Sequence, residues 1–389
     1  MSAEPMSTSE AEPCSKLDGA APESTDFANY FVTYGYIYHQ KDMLEDHKRT
    51  GAYYQAIMSN RRQFQGKVVL DVGTGSGILA IFAAKAGAKK VYAVEATSMA
   101  LNARKLVEAN KLDGVIEVIQ GTIETITLPE KVDIIISEWM GYFLLRESML
   151  DSVLVAYLVP TDQPQPPALK GDRARLLLPS HANMYLVPIR TNLNHQRSND
   201  LKVRLMEGWG SFIREMKEFY QVELDVLSEG YLSEQQDYFL HTAAWTDIHP
   251  GQLLGSPACF KRYDLHKLTL DELKAPLKET VQMFVSDGGP VEALCGYFDV
   301  LFKGSEENPA DNEVRLTTAP DPTGATHWGQ QSFYVQPPIE CSADDKIRGT
   351  IEVVRQRANQ RLLDVAMTLT VENASEVTSA PRKLHYRIE

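Results

Sequence analysis

The sequence predicts an α/β domain built on a doubly wound parallel sheet, followed by a separate β domain. Three observations carry that reading. Apolar strand-like runs alternate with helical stretches from Gly66 to Leu158, a Pro-rich crossing follows, and beyond it the dominant period is that of strands. A chain of 389 residues has material for about two or three cores.

Residues 1–26 are rich in Ser, Glu, Ala and Pro and hold almost nothing large and apolar, which predicts a disordered tail. Order is expected from Tyr30 to Tyr38, where five aromatics fall within nine residues; they read either as an element packed on a core or as a lid over a ligand. Lys41 to Met58 reads as a helix broken near Thr50-Gly51, with Met43, Asp46 and Arg49 roughly on one face. An arginine on such a face is commonly solvated.

The parallel sheet is expected from Val68–Val72, Val91–Glu95, Ile116–Gln120 and Val132–Ser137, with helices over 78–86, 98–110 and 147–158. Continuous apolar strands suit a sheet covered on both faces. Such sheets take ligands beyond the carboxyl ends of their strands, where Gly73, Gly75, Glu95, Glu124 and Glu138 lie at or near one edge. Four prolines from Pro160 to Pro167 set a boundary, giving an α/β domain over 27–160 and a β domain over 161–389. Strands are expected over 183–189, 291–302, 346–355 and 362–372. In the last, Leu363, Val365, Met367, Leu369 and Val371 alternate with mostly polar residues. Residues 190–221 interrupt the β domain with an amphipathic helix whose stripe includes Leu201, Leu205, Trp209 and Phe212, to be buried on its own domain or on a partner subunit.

A formal charge of -13 argues against a nucleic-acid-binding surface as the main purpose and fits attraction of basic partners or simple solubility. Cys14, Cys259, Cys295 and Cys341 show no CxxC spacing, so neither structural zinc nor another metal is expected, and the thiols fit a reducing compartment. No stretch approaches the roughly 20 apolar residues of a membrane span, and no apolar signal-peptide core is seen.

The chemistry starts at Gly73-Thr-Gly-Ser-Gly77, a glycine turn after the first strand. Glycines permit close backbone approach to a ligand, and Glu95, ending the second strand, can accept ribose hydroxyls. The spacing is GxGxG, not the GxGxxG of dinucleotide folds. The absent third glycine and the run VLDVGTGSGIL favour S-adenosylmethionine over a nicotinamide cofactor. Asp71 lies beside the turn, in a cofactor-site or purely structural role, and Glu124 is placed for an adenine edge or for solvent. Ser137 to Met149 then carries Glu138 and Glu147 nine positions apart, with Gly141 between them. They could clamp one cation, or Glu147 could open the next helix while Glu138 is solvated. A guanidinium suits such a pair, since its planar donors match carboxylates bidentately.

The chain from Tyr30 to its C-terminus resembles a protein arginine N-methyltransferase, through the motifs YFVTY, VLDVGTGSG, VYAVEA, SEWMGYFLLRESM and ATHWGQQSFY. The resemblance implies a Rossmann-like class I methyltransferase domain followed by a β-barrel-like domain with a helical dimerisation arm at 190–221. It implies S-adenosyl-L-methionine as cofactor and S-adenosyl-L-homocysteine as product. Glu138 and Glu147 resemble the paired glutamates that grip the substrate arginine. Arg49 resembles the ligand of the cofactor carboxylate, with Tyr34, Met43, Asp71, Gly73, Gly75, Glu95 and Glu124 around the cofactor. Tyr30, Tyr34, Met43, Met149 and Trp328 are expected at the substrate pocket, and His327 is expected to pair with Asp46, as a proton relay or as a brace for the N-terminal helix. Met43 and Met149 resemble the methionines of members making asymmetric dimethylarginine, so that product is expected. The alternative is a class I methyltransferase for another nitrogen nucleophile, such as a small amine. Substrates implied by the resemblance are histone tails and Arg/Gly-rich proteins, handled by a homodimer in nucleus and cytoplasm. Gln40 departs from the family's common His, Arg146 from a common aromatic, and the arm is long, as in the plant-type branch.

Overall fold

The computed structural model describes residues 30–158, 176–191, 201–373, 375 and 378–389. The expected tail, the Pro-rich crossing and residues 192–200 of the arm lie outside the described residues.

Residues 30–34 are helical, followed by α1 (Ile37–Glu45) and α2 (His47–Met58). The helix expected to break at Thr50-Gly51 breaks at Asp46 instead. Asp46 has φ -68 and ψ 89, outside the helical region, and its side chain accepts the Arg49 N–H as an N-cap. A carboxylate that can cap is a stronger punctuation than a glycine with open space around it.

The parallel sheet comprises β1 (Val68–Val72), β2 (Lys90–Glu95), β3 (Ile116–Gln120), β4 (Ile134–Ile136) and β5 (Leu176–Leu178), in the order β3-β2-β1-β4-β5. Every residue of β1 is buried, as a central strand between helical layers requires. Of those layers, α3 (Ile78–Lys85) follows the glycine turn, and α4 (Met99–Ala109) buries Met99, Ala103 and Val107 along one face. The boundary expected at 160 is corrected by β5, which lies beyond the Pro-rich crossing yet pairs in parallel with β4. Two further expectations shift. The fourth strand shrinks to Ile134–Ile136, and the next helix, α5, runs from Leu150 to Leu158 instead of starting at Glu147. Glu147 and Ser148 have φ of +79 and +57, a left-handed backbone incompatible with a helix start.

The β domain is built from β6 (His181–Ile189), β7 (Ala244–Thr246), β8 (Gly255–Ser256), β9 (Ala258–Asp264), β10 (Leu277–Val285) and β11 (Gly289–Gly304). It continues with β12 (Pro309–Thr317), β13 (Gln330–Cys341), β14 (Lys346–Arg355), β15 (Leu363–Glu372) and β16 (Arg382–Ile388). These form two antiparallel sheets, ordered β16-β15-β14-β10-β8 and β7-β13-β11-β6-β9, with β12 on β11. In β15, Leu363, Val365, Met367 and Leu369 are buried and their neighbours half-buried, the alternation read from sequence, which fades at Val371, itself half-buried.

The arm is a helical hairpin and extends further than residue 221. It consists of α6 (Leu201–Tyr220) and α7 (Ser228–His241). The Trp209 ring stacks on Tyr231 at 4.3 Å between centroids, and its indole N–H donates to Ser228 at 2.7 Å. Part of the stripe is therefore consumed within the hairpin, which sequence periodicity over one helix does not reveal. Phe212, Phe219 and Tyr220 remain exposed.

One apolar core runs through both domains, and the loop after β4 crosses between them, as does α2, whose Tyr53 meets Phe302 edge-on at 4.9 Å. Phe143 lies buried against Phe333 and Phe260 of the β domain, with ring centroids 5.3 and 6.1 Å away. A Cβ on Gly296 would lie 2.5 Å from its ring, so the barrel wall is thinned to admit it. With Phe143 as the anchored tip, the two limbs of the loop fold back toward the parallel sheet.

Candidate active site

The loop from Ser137 to Met149 is a tight reversal. Gly141 N–H donates to the Leu144 carbonyl at 3.1 Å, and a Cβ on Gly141 would sit 2.0 Å from the Arg146 carbonyl oxygen, so only glycine fits there. Phe143, Leu144, Glu147 and Ser148 all have positive φ, a density of backbone strain that the buried Phe143 and the flanking hydrogen bonds sustain. The result is that Glu138 and Glu147 both line one cavity of about 910 Å³.

The cavity's opposite end is the glycine turn. Gly73, Gly75 and Gly77 have φ of +69, +54 and +91. A Cβ on Gly73 would approach Met149 Cε to 2.2 Å, and one on Gly75 would approach Gln40 Oε1 to 2.7 Å. Glu95 accepts the Gly75 N–H at 2.9 Å and the Thr97 N–H at 2.8 Å, one on each carboxylate oxygen. Each oxygen keeps acceptor capacity for a ribose hydroxyl. Gln40 is buried; it accepts the Ser76 N–H at 3.2 Å and donates to the Tyr34 carbonyl at 3.2 Å. Glu124 is exposed and accepts from Ser152 at 2.6 Å at the cavity's edge. Asp71 is corrected from a direct cofactor contact to a support, because it does not line the cavity. Fully buried, it accepts from Thr74 at 2.5 Å, and burial pushes its carboxyl up to about 7 against that bond.

At the clamp, Tyr34 donates to Glu147 Oε2 at 2.6 Å and Arg146 to Glu147 Oε1 at 3.1 Å. Burial raises the Glu147 carboxyl above its ordinary range, and the Tyr34 bond and the Arg146 charge oppose that rise. Tyr30 and Tyr34 line the cavity, whereas Tyr36 and Tyr38 are exposed, so the aromatic cluster divides between a wall and a surface. Arg49 is buried rather than solvated. Its Nε and Nη2 lie 3.1 and 2.7 Å from Glu138 Oε2, and Nη1 donates to the Met43 carbonyl at 3.2 Å. Met43 and Met149 both line the cavity.

Three more of the expected residues, besides Asp71, form its outer support instead of its wall. His327 donates through its backbone N–H at 2.9 Å to Asp46 Oδ2, and its ring Nδ1 lies 2.7 Å from the same oxygen. Burial disfavours the Asp46 carboxylate, but the His327 ring, the Arg49 N–H and the His327 N–H outweigh it and bring the carboxyl down to about 2. Trp328 is corrected from a pocket residue to a buried brace, since its indole donates to the Met140 carbonyl at 2.9 Å and does not line the cavity.

Two supports were missed from sequence. Arg361 sits in the turn between β14 and β15; its Nη1 donates to the Glu147 carbonyl at 2.6 Å, and the Glu147 N–H donates to the Arg361 carbonyl at 2.7 Å. Its guanidinium lies 3.9 Å from the centre of the Tyr30 ring, tying the aromatic wall to the clamp. No local pattern marks a residue 214 positions away. Tyr53, which donates to the Ser137 carbonyl at 2.9 Å, had a signal, lying four residues after Arg49 on the same helical face.

The cavity, a glycine cradle that Cβ atoms would fill and a strand-end carboxylate fit an adenosine cofactor, with the paired glutamates where its reactive end would point. Comparisons with known proteins agree. A family model described as the arginine methyltransferase oligomerization subdomain matches residues 182–374, and one for the ribosomal protein L11 methyltransferase (PrmA) matches residues 28–149. Among curated proteins, the chain is 47% identical over 353 residues to protein arginine N-methyltransferase PRMT10 of Oryza sativa subsp. japonica, covering 91% of this chain and 90% of that one. The crystal structure of Arabidopsis thaliana protein arginine methyltransferase 10 matches at 44% identity with a TM-score of 0.82, over 92% of this chain and 100% of that chain. The Trypanosoma brucei PRMT1 enzyme-prozyme heterotetramer, a complex with AdoHcy, matches at 30% identity with a TM-score of 0.71, over 92% of this chain and 100% of that chain.

Proposed function

This chain belongs to the protein arginine N-methyltransferase family, and we propose that it converts protein arginines to monomethyl- and then asymmetric dimethylarginine. Its cofactor is S-adenosylmethionine, which supplies an electrophilic methyl group. The observation that carries the reading is the convergence of Glu138 and Glu147 on the cavity that begins at the glycine turn.

The residues divide the work. Glu95 and the backbone at Gly73 and Gly75 hold the adenosine end, with Glu124 at the adenine edge. Arg49, bonded to Glu138 in this structure, would exchange that bond for the cofactor carboxylate. That exchange frees Glu138 to join Glu147 in gripping the substrate guanidinium through parallel charge-assisted hydrogen bonds. Held so, the guanidinium presents one terminal nitrogen in line for methyl transfer; the nitrogen–carbon bond would form as the carbon–sulfur bond breaks, and the proton shed by that nitrogen would pass to a clamp carboxylate. Asp46 and His327, outside the cavity wall, brace α2 and so keep Arg49 in place; we assign them positioning roles rather than a proton relay.

Met43 and Met149 bound the space left for added methyl groups and support the asymmetric product. The acidic balance supports basic substrates such as histone tails and Arg/Gly-rich proteins, and the exposed aromatics of the arm support a homodimer; its place in nucleus and cytoplasm rests on the family resemblance alone. Labelled cofactor offered with an Arg-rich peptide and with its Lys-substituted version tests the substrate class: labelling of the Lys version favours a different nitrogen nucleophile. Mass spectrometry of the dimethylated peptide then reads the product, and the fragment loss of symmetric dimethylarginine overturns the assignment of type.

A further inference from the structure

Arg146 is the residue at the clamp that the catalytic reading does not use. Consecutive side chains on regular extended backbone point apart, but the left-handed backbone at Glu147, φ +79, brings the Arg146 and Glu147 side chains together. Arg146 Nη1 reaches Glu147 Oε1 at 3.1 Å while its guanidinium sits 5.4 Å from the centre of the Tyr142 ring. Both side chains are largely buried, at 24% and 16% exposure. Arg146 Nε is buried without a hydrogen-bond partner, so the pair is not arranged for maximal stability. Each clamp carboxylate is therefore matched by a resident guanidinium, Glu138 by Arg49 and Glu147 by Arg146, two negative charges against two positive.

We propose that Arg146 is a resident counter-charge for Glu147, a positioning residue that keeps this carboxylate oriented and anionic in the closed site until a substrate guanidinium arrives. The proposal rests on the arginine-methylating reading for its purpose, but not for its physics. A carboxylate with most of its surface removed from water tends to take up a proton, and a neutral Glu147 cannot grip a guanidinium. Around Glu147, Tyr30 and Tyr34 face it from the N-terminal helical segment, Glu138 from its own loop and Arg361 from the turn between β14 and β15. Tyr34 donates a hydrogen bond and Glu138 repels. Arg361 contacts the Glu147 carbonyl, and among the described residues it is Arg146 that bonds the carboxylate itself. The same charge disfavours a second cation on Glu147, so a substrate guanidinium must share the carboxylate with Arg146 or displace it.

The test titrates the ligand-free protein labelled with 13C at the Glu carboxyls, with the Glu147 resonance assigned by its loss in Glu147→Gln. In Arg146→Gln the Glu147 midpoint is expected to rise by about one pH unit or more, and Arg146→Lys to restore most of the difference. Arg146→Met keeps the stem over Tyr142 and serves if Arg146→Gln does not fold. Unchanged midpoints in both Arg146→Gln and Arg146→Met overturn the proposal. Methyl transfer to an Arg-rich peptide is followed in parallel, where the acid limb of kcat/KM is expected to move up by the same amount. A titration that shifts as expected in a protein that does not methylate arginine leaves the counter-charge standing and removes the arginine reading.

Discussion

Asp46 and His327 lie 281 positions apart, yet one carboxylate oxygen, Asp46 Oδ2, receives both the backbone N–H of His327 at 2.9 Å and its ring Nδ1 at 2.7 Å. The pair fastens the cap of α2 to the β domain, with Lys48 bonded to the Gly324 carbonyl beside it. Because the folded Asp46 carboxyl titrates at about 2 against an ordinary 3.8, its contribution to stability is full above about pH 4 and is lost as pH falls through about 2. Asp46→Asn is expected to destabilise the protein by about 1–2 kcal/mol at pH 7, with the gap from wild type closing between about pH 4 and pH 2. Urea unfolding at several pH values measures both; a gap that stays constant with pH removes Asp46 as its source.

Tyr34→Phe takes one donor from Glu147 and adds no volume. A charge-assisted hydrogen bond of about 1.5 kcal/mol is lost, so kcat/KM for an Arg-rich peptide should fall about tenfold while the melting temperature stays close to wild type. Steady-state kinetics giving wild-type turnover would show that the 2.6 Å contact is not used when substrate binds.

Glu147→Gln keeps the side chain's shape and removes its charge. Leaving a guanidinium without a buried partner costs about 2–5 kcal/mol, so methyl transfer should drop by about thirtyfold or more. Calorimetry should find cofactor affinity little changed, since Glu147 lies at the substrate end. Glu138→Gln should differ, because it removes the carboxylate from which Arg49 must be released, so cofactor affinity should hold or rise while methyl transfer falls.

For the arm, Phe212 and Phe219 are exposed on α6 while Trp209 is spent on Tyr231. Phe212→Glu with Phe219→Glu is expected to give monomers with reduced activity. Trp209→Ala should instead loosen the hairpin itself. Sedimentation that finds an unchanged dimer in the double variant would move the interface elsewhere.

The parallel sheet was legible because its strands are short apolar runs between glycine and carboxylate punctuation, and β1 with its turn needed no tertiary information. The clamp was legible as a spacing, Glu138 and Glu147 about Gly141, but not as a geometry. What brings its limbs together is Phe143 seated beside Gly296 and Phe333, a contact across 153 to 190 residues of chain that no local pattern encodes. The same holds for Arg361, whose partners are backbone groups and an aromatic face. Asp71 and Trp328 illustrate the opposite error. Asp71 stands beside Val72, which lines the cavity, yet it does not line it, because adjacent positions on a strand point to different sides, and Trp328 belongs to a segment that packs behind the wall as a whole. The helix breaks at Asp46 and not at Thr50-Gly51 because an aspartate that caps is the stronger punctuation.

The placement of β5 sets an order on the assembly of the molecule. As the chain leaves the ribosome, everything from the glycine turn to the paired glutamates is available by Leu158, but the open side of Ile134–Ile136 has no neighbour until Leu176–Leu178 has emerged. Until then a fully apolar strand presents bare backbone donors and acceptors, a template for any other strand it meets. A cofactor-binding half expressed alone and cut at the Pro-rich crossing therefore ends one strand short, and it should self-associate where a fragment carried through residue 178 has that edge covered.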